Sequence, residues 1–69
     1  MTTADKTART ATRIRSAIAS DRAALATVRE VRRDLSDAAR TADVLDYLRR
    51  SEEGLLDSIA RMTRRLNAL

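Results

Sequence analysis

The most regular pattern in the chain lies in residues 45–69, which read LDYLRRSEEGLLDSIARMTRRLNAL. Apolar side chains recur there at alternating steps of three and four, with Glu52 as the one polar interruption. Written as heptads, one seam position holds Leu45, Glu52, Ile59 and Leu66, and the other holds Leu48, Leu55, Met62 and Leu69. Three successive heptads of this kind predict a helix that packs against other helices in a bundle or coiled coil.

The first half of the chain also shows helical periodicity, with one change of register. Its apolar positions are Ile14, Ile18, Leu25, Val28, Val31, Leu35, Ala38 and Ala42. The chain has one Gly and no Pro, and it is rich in residues that lose little rotamer freedom in a helix. We therefore expect an all-α fold.

Cap signals divide the chain into two helices. Thr2 and Asp5 have the spacing of a capping box, and Thr41 precedes a second helix with Asp43 in its first turn. The sequence predicts a single helical hairpin with a first helix at about 3–37, a turn at about 38–41 and a second helix at about 42–68. Two alternatives stay open: three helices, broken at Ser51–Gly54 or Ser20–Asp21, or one uninterrupted helix.

The length of the chain predicts self-association. A single core in a protein below about 70–80 residues rarely supplies more than about 3–5 kcal/mol, and small proteins add disulfides, a metal or oligomerisation. This chain has 69 residues, no Cys and no His, which leaves association. We expect an antiparallel four-helix bundle or coiled coil, most simply a homodimer, or packing on a partner helix. The predicted interface comprises Leu45, Leu48, Leu55, Ile59, Met62, Leu66, Leu69, Ile18, Leu25, Val28 and Leu35.

Composition argues against catalysis. Without Cys and His the chain lacks thiol nucleophiles, the commonest general base and the commonest zinc ligands. Glu53 and Asp57 share one helix face, but Arg61 follows Asp57 by four residues, as in an ordinary ion pair. We predict no enzyme, no cofactor and no metal site. No apolar run approaches the roughly 18 residues of a membrane span, and the start carries no hydrophobic signal, so we expect a cytoplasmic protein.

Thirteen of the fourteen basic residues are Arg, and the formal net charge is +4. On one helix, five of these arginines would lie within about 40° of one another: Arg15, Arg22, Arg29, Arg33 and Arg40. This arginine stripe could neutralise the phosphates of RNA or DNA, or anionic lipid headgroups. It could equally pair with acids of a neighbouring helix, such as Asp43, Asp46, Glu52, Glu53 and Asp57. Arg61, Arg64 and Arg65 either complement the helix dipole or form a basic tail.

Three further residues interrupt the apolar pattern. Glu52 and Asp21 occupy positions where packing favours Leu, so they either set the register of the helices or mark points where the seam opens. Tyr47, the single aromatic residue, is expected to be partly buried beside the seam.

Two segments resemble the Rop (Rom) family of plasmid copy-number proteins. They are Met1-Thr2-x-x-Asp5-Lys6-Thr7-Ala8 with Arg13-Ile14-Arg15-Ser16, and Ala42-Asp43-Val44-x-Asp46-x-Leu48 with Ser58-Ile59-Ala60-Arg61-Met62. The resemblance implies a hairpin that dimerises into a four-helix bundle and binds paired RNA loops. The family's outer-face Phe has no counterpart in this Phe-free chain, so an RNA contact would have to use the arginine stripe.

These observations favour a non-enzymatic oligomerising interaction or scaffold protein. The first alternative is a small arginine-rich regulator that binds RNA or DNA. The second is a component of a phage particle or of a membrane surface.

Overall fold

The computed structural model describes residues 2–69 as two antiparallel helices; Met1, which begins the quoted family motif, lies outside them. Helix α1 spans Thr3–Asp34, a short 3-10 turn spans Asp37–Ala39, and helix α2 spans Ala42–Asn67. Both helices run unbroken through Ser20–Asp21 and Ser51–Gly54. The all-α hairpin is therefore confirmed, and within the described residues neither the three-helix nor the one-helix alternative applies.

Both predicted helix starts are confirmed by their caps. The backbone N–H of Asp5 donates to Thr2 Oγ1 at 3.2 Å, and the N–H of Thr2 donates to Asp5 Oδ2 at 3.4 Å. At α2 the N–H of Val44 donates to Thr41 Oγ1 at 3.3 Å. Side-chain oxygens thus satisfy backbone donors that have no partner inside either helix.

Helix α1 ends at Asp34, three residues before the predicted end. Leu35 is already extended, and Arg40 folds back on the helix. The Arg40 guanidinium donates to the carbonyls of Arg33 at 3.2 Å and Leu35 at 3.1 Å. These bonds satisfy carbonyl groups that one more helical turn would have used, so the chain leaves the helix early. Ala38, predicted on the helical stripe, lies in the 3-10 turn.

The core is a single strip between the two helices. Its buried side chains, among the described residues, are Ile14, Ile18, Leu25 and Leu48, each 6% exposed. The α1 side of the strip follows an unbroken heptad, because the partly buried Asp21 and Arg32 fill the steps between apolar residues. Val31, one of the predicted apolar positions of the first helix, lies outside the strip and is 44% exposed. The predicted change of register is thus wrong.

This strip leaves much of the chain in water. The accessible surface is 5267 Å², whereas a compact monomer of this mass exposes about 4,300 Å². The radius of gyration is 16.4 Å, against about 11 Å for a compact domain of this length. The hairpin is a rod of 57 × 15 × 13 Å, and its core is correspondingly thin.

One ion-pair cluster ties the helices together across the strip. Arg29 Nε donates to Glu52 Oε1 at 3.4 Å, and Glu52 Oε2 lies 2.7 Å from Arg32 Nη2 in an ion pair that lacks hydrogen-bond geometry. The Glu52 side chain is 19% exposed. The seam stays closed there, so a charged seam residue fixes the register of α1 against α2.

The substitution Glu52→Lys should lower the free energy of unfolding by about 2 kcal/mol, because it places a third cation beside Arg29 and Arg32 at a position where the side chain is only 19% exposed. Glu53→Lys makes the same charge change one residue away at an exposed position and should cost less than about 0.5 kcal/mol. Urea unfolding followed by circular dichroism measures both. Equal costs would show that Glu52 has no special role in the register.

Candidate functional site

The arginine stripe is shorter in the structure than the sequence predicted. Helix α1 holds Arg15, Arg22, Arg29 and Arg33, but Arg40 lies beyond its end and binds backbone carbonyls. Arg29 pairs with Glu52, and Arg33 Nε lies 3.4 Å from Asp34 Oδ1. Within residues 2–69, Arg15 and Arg22 have no carboxylate within 4 Å. Two of the stripe arginines, Arg15 and Arg22, therefore stay unpaired among the described residues.

Two of the five acids proposed to neutralise the stripe, Asp46 and Asp57, pair with arginines of their own helix. Asp46 accepts from Arg49 at 2.7 Å and lies 3.0 Å from Arg50. The hydrogen bond and charge of Asp46, with a smaller effect of Glu53, raise the pKa of Arg49 above its usual value. Asp57 lies 3.3 Å from Arg61, which confirms the predicted ion pair. Helix α2 thus neutralises much of its own charge, and Glu52 is the acid that reaches α1.

Three of the eleven predicted association residues are buried inside the hairpin. Ile18, Leu25 and Leu48 are buried between α1 and α2 of one chain. Half-buried residues are Val28, Leu35, Leu55, Ile59, Met62 and Leu66, while Leu45 and Leu69 are exposed. The half-buried set is available to a second layer of helices, whereas the buried set is already covered.

One side of the hairpin carries apolar side chains that the core does not cover. Leu45, Leu56 and Ile59 lie within about 60° of one another on α2. We call them the apolar face, together with Glu52 between them. The Glu52–Arg29 contact places the α1 edge with Arg15, Arg22 and Arg29 on this same side. Leu56, which is 44% exposed, lies off the predicted seam and was missed by the sequence analysis.

The opposite side carries a basic cluster, which we define as Lys6, Arg13, Arg61 and Arg65. On each helix these residues lie roughly 150–180° from the edge that borders the apolar face. Arg13 and Arg65 line one cleft, together with Thr10, Ile14, Ala17 and Met62. A neighbouring hollow is lined by Ser58, Arg61, Met62 and Arg65. The antiparallel hairpin thus joins two basic segments that are far apart in sequence.

Charge is also separated along the rod. The open end of the hairpin has no acid in residues 6–20 or 58–69, which together hold seven bases. The turn end, residues 34–46, holds four acids and one base. The hairpin brings Arg65 beside Arg13, a proximity that the spacing of residues along the sequence does not reveal.

Three further features bear on function: the single aromatic residue, the acidic side chains and the hydropathy of the helices. Tyr47, in the first turns of α2, is 70% exposed, so its predicted partial burial beside the seam is wrong. Among residues 2–69, no three acidic side chains converge as a metal-ion site would require. Neither described helix has a stretch long and apolar enough to cross a bilayer.

The chain matches no protein-family model, no curated protein and no solved structure. The resemblance to the Rop family stays a prediction that rests on the quoted residues.

Arg40→Ala should lower the free energy of unfolding by about 1 kcal/mol, because the last carbonyls of α1 would lose their charged donor. Arg33→Ala removes an exposed side chain whose partner is a surface acid and should change it by less than about 0.5 kcal/mol. Chemical denaturation of both variants checks this. Equal, small effects would mean that Arg40 is a surface residue rather than a cap.

Proposed function

We propose that the chain is a self-associating helical hairpin that serves as a structural assembly module. In this proposal the apolar face of one hairpin packs on the same face of a second copy, and the two form an antiparallel four-helix bundle. The strongest support is the incomplete core of the single hairpin.

The area argument favours a partner of about this size. The hairpin exposes about 900 Å² more than a compact monomer of its mass. A standard specific interface covers about 800 Å² on each partner. A second copy of the chain would therefore cover about the amount of surface that the hairpin leaves open.

The chemistry of the apolar face also suits a second copy. Its one charged side chain, Glu52, is already paired with Arg29 and Arg32, so burying it would add no lone charge. Leu45 and Leu56 lie on either side of it and are 36% and 44% exposed. Packing a copy there would complete the burial of Ile59 and Leu66 as well.

Charge separation favours the antiparallel arrangement. Two hairpins with their open ends together would bring two acid-free basic regions into contact. Reversing one copy places its acidic turn end beside the basic open end of the other. Arg15 and Arg22, unpaired within the hairpin, would then lie near acids of the copy.

Wild type should be an oligomer, whereas the Leu56→Lys variant should be a monomer that keeps most of its helix content. Lys at this position follows Glu52 by four residues, which favours the helix itself, but it places two cations in the interface between copies. Val31→Lys introduces the same side chain at a position with the same 44% exposure on the other side of the hairpin. The Val31→Lys variant should form an oligomer of the same mass as wild type. Light-scattering mass after size exclusion measures all three proteins.

Three outcomes would contradict the proposal: a monomeric wild type, an intact oligomer in Leu56→Lys, or dissociation by Val31→Lys alone. A wild type that is monomeric alone and pairs with a different helix would assign the face to another protein.

A further inference from the structure

We infer that the basic cluster at the open end of the hairpin binds the phosphate backbone of double-stranded DNA. The inference goes beyond self-association, because the cluster and the apolar face lie on opposite sides of the rod. It also differs from the predicted arginine stripe, which shares no residue with the cluster. The observation that carries it is a cleft built from both helices with unpaired guanidinium groups at its rim.

The cleft exists only because the chain folds back on itself. Arg13 comes from α1 and Arg65 from α2, and both line the same concave surface. Its other lining residues are mostly small or apolar, so they leave room for an anion between the two arginines. Arg61 extends the basic surface along α2 through the neighbouring hollow, which Arg65 also lines.

Most charged groups of the basic cluster form no ion pair within the described residues. Within the described chain, Lys6, Arg13 and Arg65 have no carboxylate within 4 Å. Arg61 pairs with Asp57, but both side chains are about two-thirds exposed, so solvent weakens that pair. Asp5, the acid nearest this end, accepts the N–H of Thr2 in the cap. Lys6, Arg13 and Arg65 therefore present positive charge that no carboxylate of the described residues neutralises.

Arginine favours phosphate as the ligand. A guanidinium group binds phosphate oxygens through two parallel hydrogen bonds, and it gives up its hydration more readily than an ammonium group does. Membrane surfaces are disfavoured, because binding in the interface needs large apolar side chains beside the charges. Here Ile14 is buried and Met62 half-buried.

A duplex fits better than a single strand. Unpaired bases are held by stacking on aromatic rings, and Tyr47, the one aromatic residue, lies near the turn at the other end of the rod. Thr2–Arg9 are exposed throughout, because the first two turns of α1 project beyond α2. A lone helix about 10–12 Å wide enters the roughly 12 Å major groove of DNA. The major groove of duplex RNA is too deep and narrow for this.

The uneven charge along the rod orients the hairpin as it approaches DNA. DNA repels the acidic turn end and attracts the open end, so the hairpin meets the duplex end-on or at an angle. If the copies pair as proposed above, the two basic clusters lie at opposite ends of the bundle and can hold two duplexes.

The test compares two variants that lose the same charge. Arg13→Gln with Arg65→Gln removes the cleft arginines, and Arg33→Gln with Arg50→Gln removes two exposed arginines far from it. Binding to a labelled 20-base-pair DNA of mixed sequence is followed by fluorescence anisotropy between 50 and 200 mM salt. Light-scattering mass is recorded for each protein, so a loss of DNA binding is separable from a loss of association.

Wild type should bind DNA with an affinity that falls steeply with salt, because each phosphate contact contributes about 0.9 to the slope of log affinity against log salt. The cleft variant should bind at least about tenfold more weakly and reduce that slope by about 2. The distant variant should stay within about threefold of wild type.

Four results would overturn the inference: no binding at 50 mM salt, equal losses in both variants, tighter binding to duplex RNA or to a single strand, or retention on phosphatidylserine vesicles without retention on DNA. Equal losses would mean that net charge alone attracts the DNA, with no site at the cleft.

Discussion

A hairpin of two helices has one internal interface, and the area of that interface limits everything else in this chain. Each helix can bury only the strip that faces the other, here Ile14, Ile18, Leu25 and Leu48. The chain has no disulfide or His ligand with which to strengthen so small a core. Surface that other small proteins would cover internally therefore remains open, and it includes large apolar side chains such as Leu56. Self-association, as proposed above, would cover that surface.

Within that limit, charged residues determine how the two helices align and where α1 ends. Glu52 forms ion pairs with Arg29 and Arg32 of α1 and so fixes how the two helices align. A Leu at this position could pack in several registers, because apolar contacts are not directional. Arg40 ends α1 by satisfying its last carbonyls. The remaining charge is sorted by position: acids collect at the turn, and unpaired bases collect at the open end. The same sorting supports both the proposed antiparallel pairing and the proposed DNA site, on different faces of the rod.

Much of the fold could be predicted from local chemistry. The caps at Thr2 and Thr41 and the helical repeat through Leu48, Leu55 and Met62 depend on neighbours within one turn. The errors involve contacts between distant residues. The end of α1 depends on Arg40 folding back, and the burial of Tyr47 and Val31 depends on which side of each helix meets the other. The basic cluster was missed for the same reason, since Arg13 and Arg65 become neighbours only in the hairpin. An acid-free stretch at each end of the sequence was the available signal.

The most direct test of self-association is the thermal unfolding midpoint measured across a hundredfold range of protein concentration. A dimer of 69-residue chains that dissociates and unfolds together at the thermal transition should gain about 1.4 kcal/mol per tenfold rise in concentration, which raises the midpoint by about 5 °C. Circular dichroism at 222 nm follows this transition. A midpoint that does not move with concentration, together with the 7.7 kDa mass of a single chain, would show that the hairpin is complete by itself and would contradict the account.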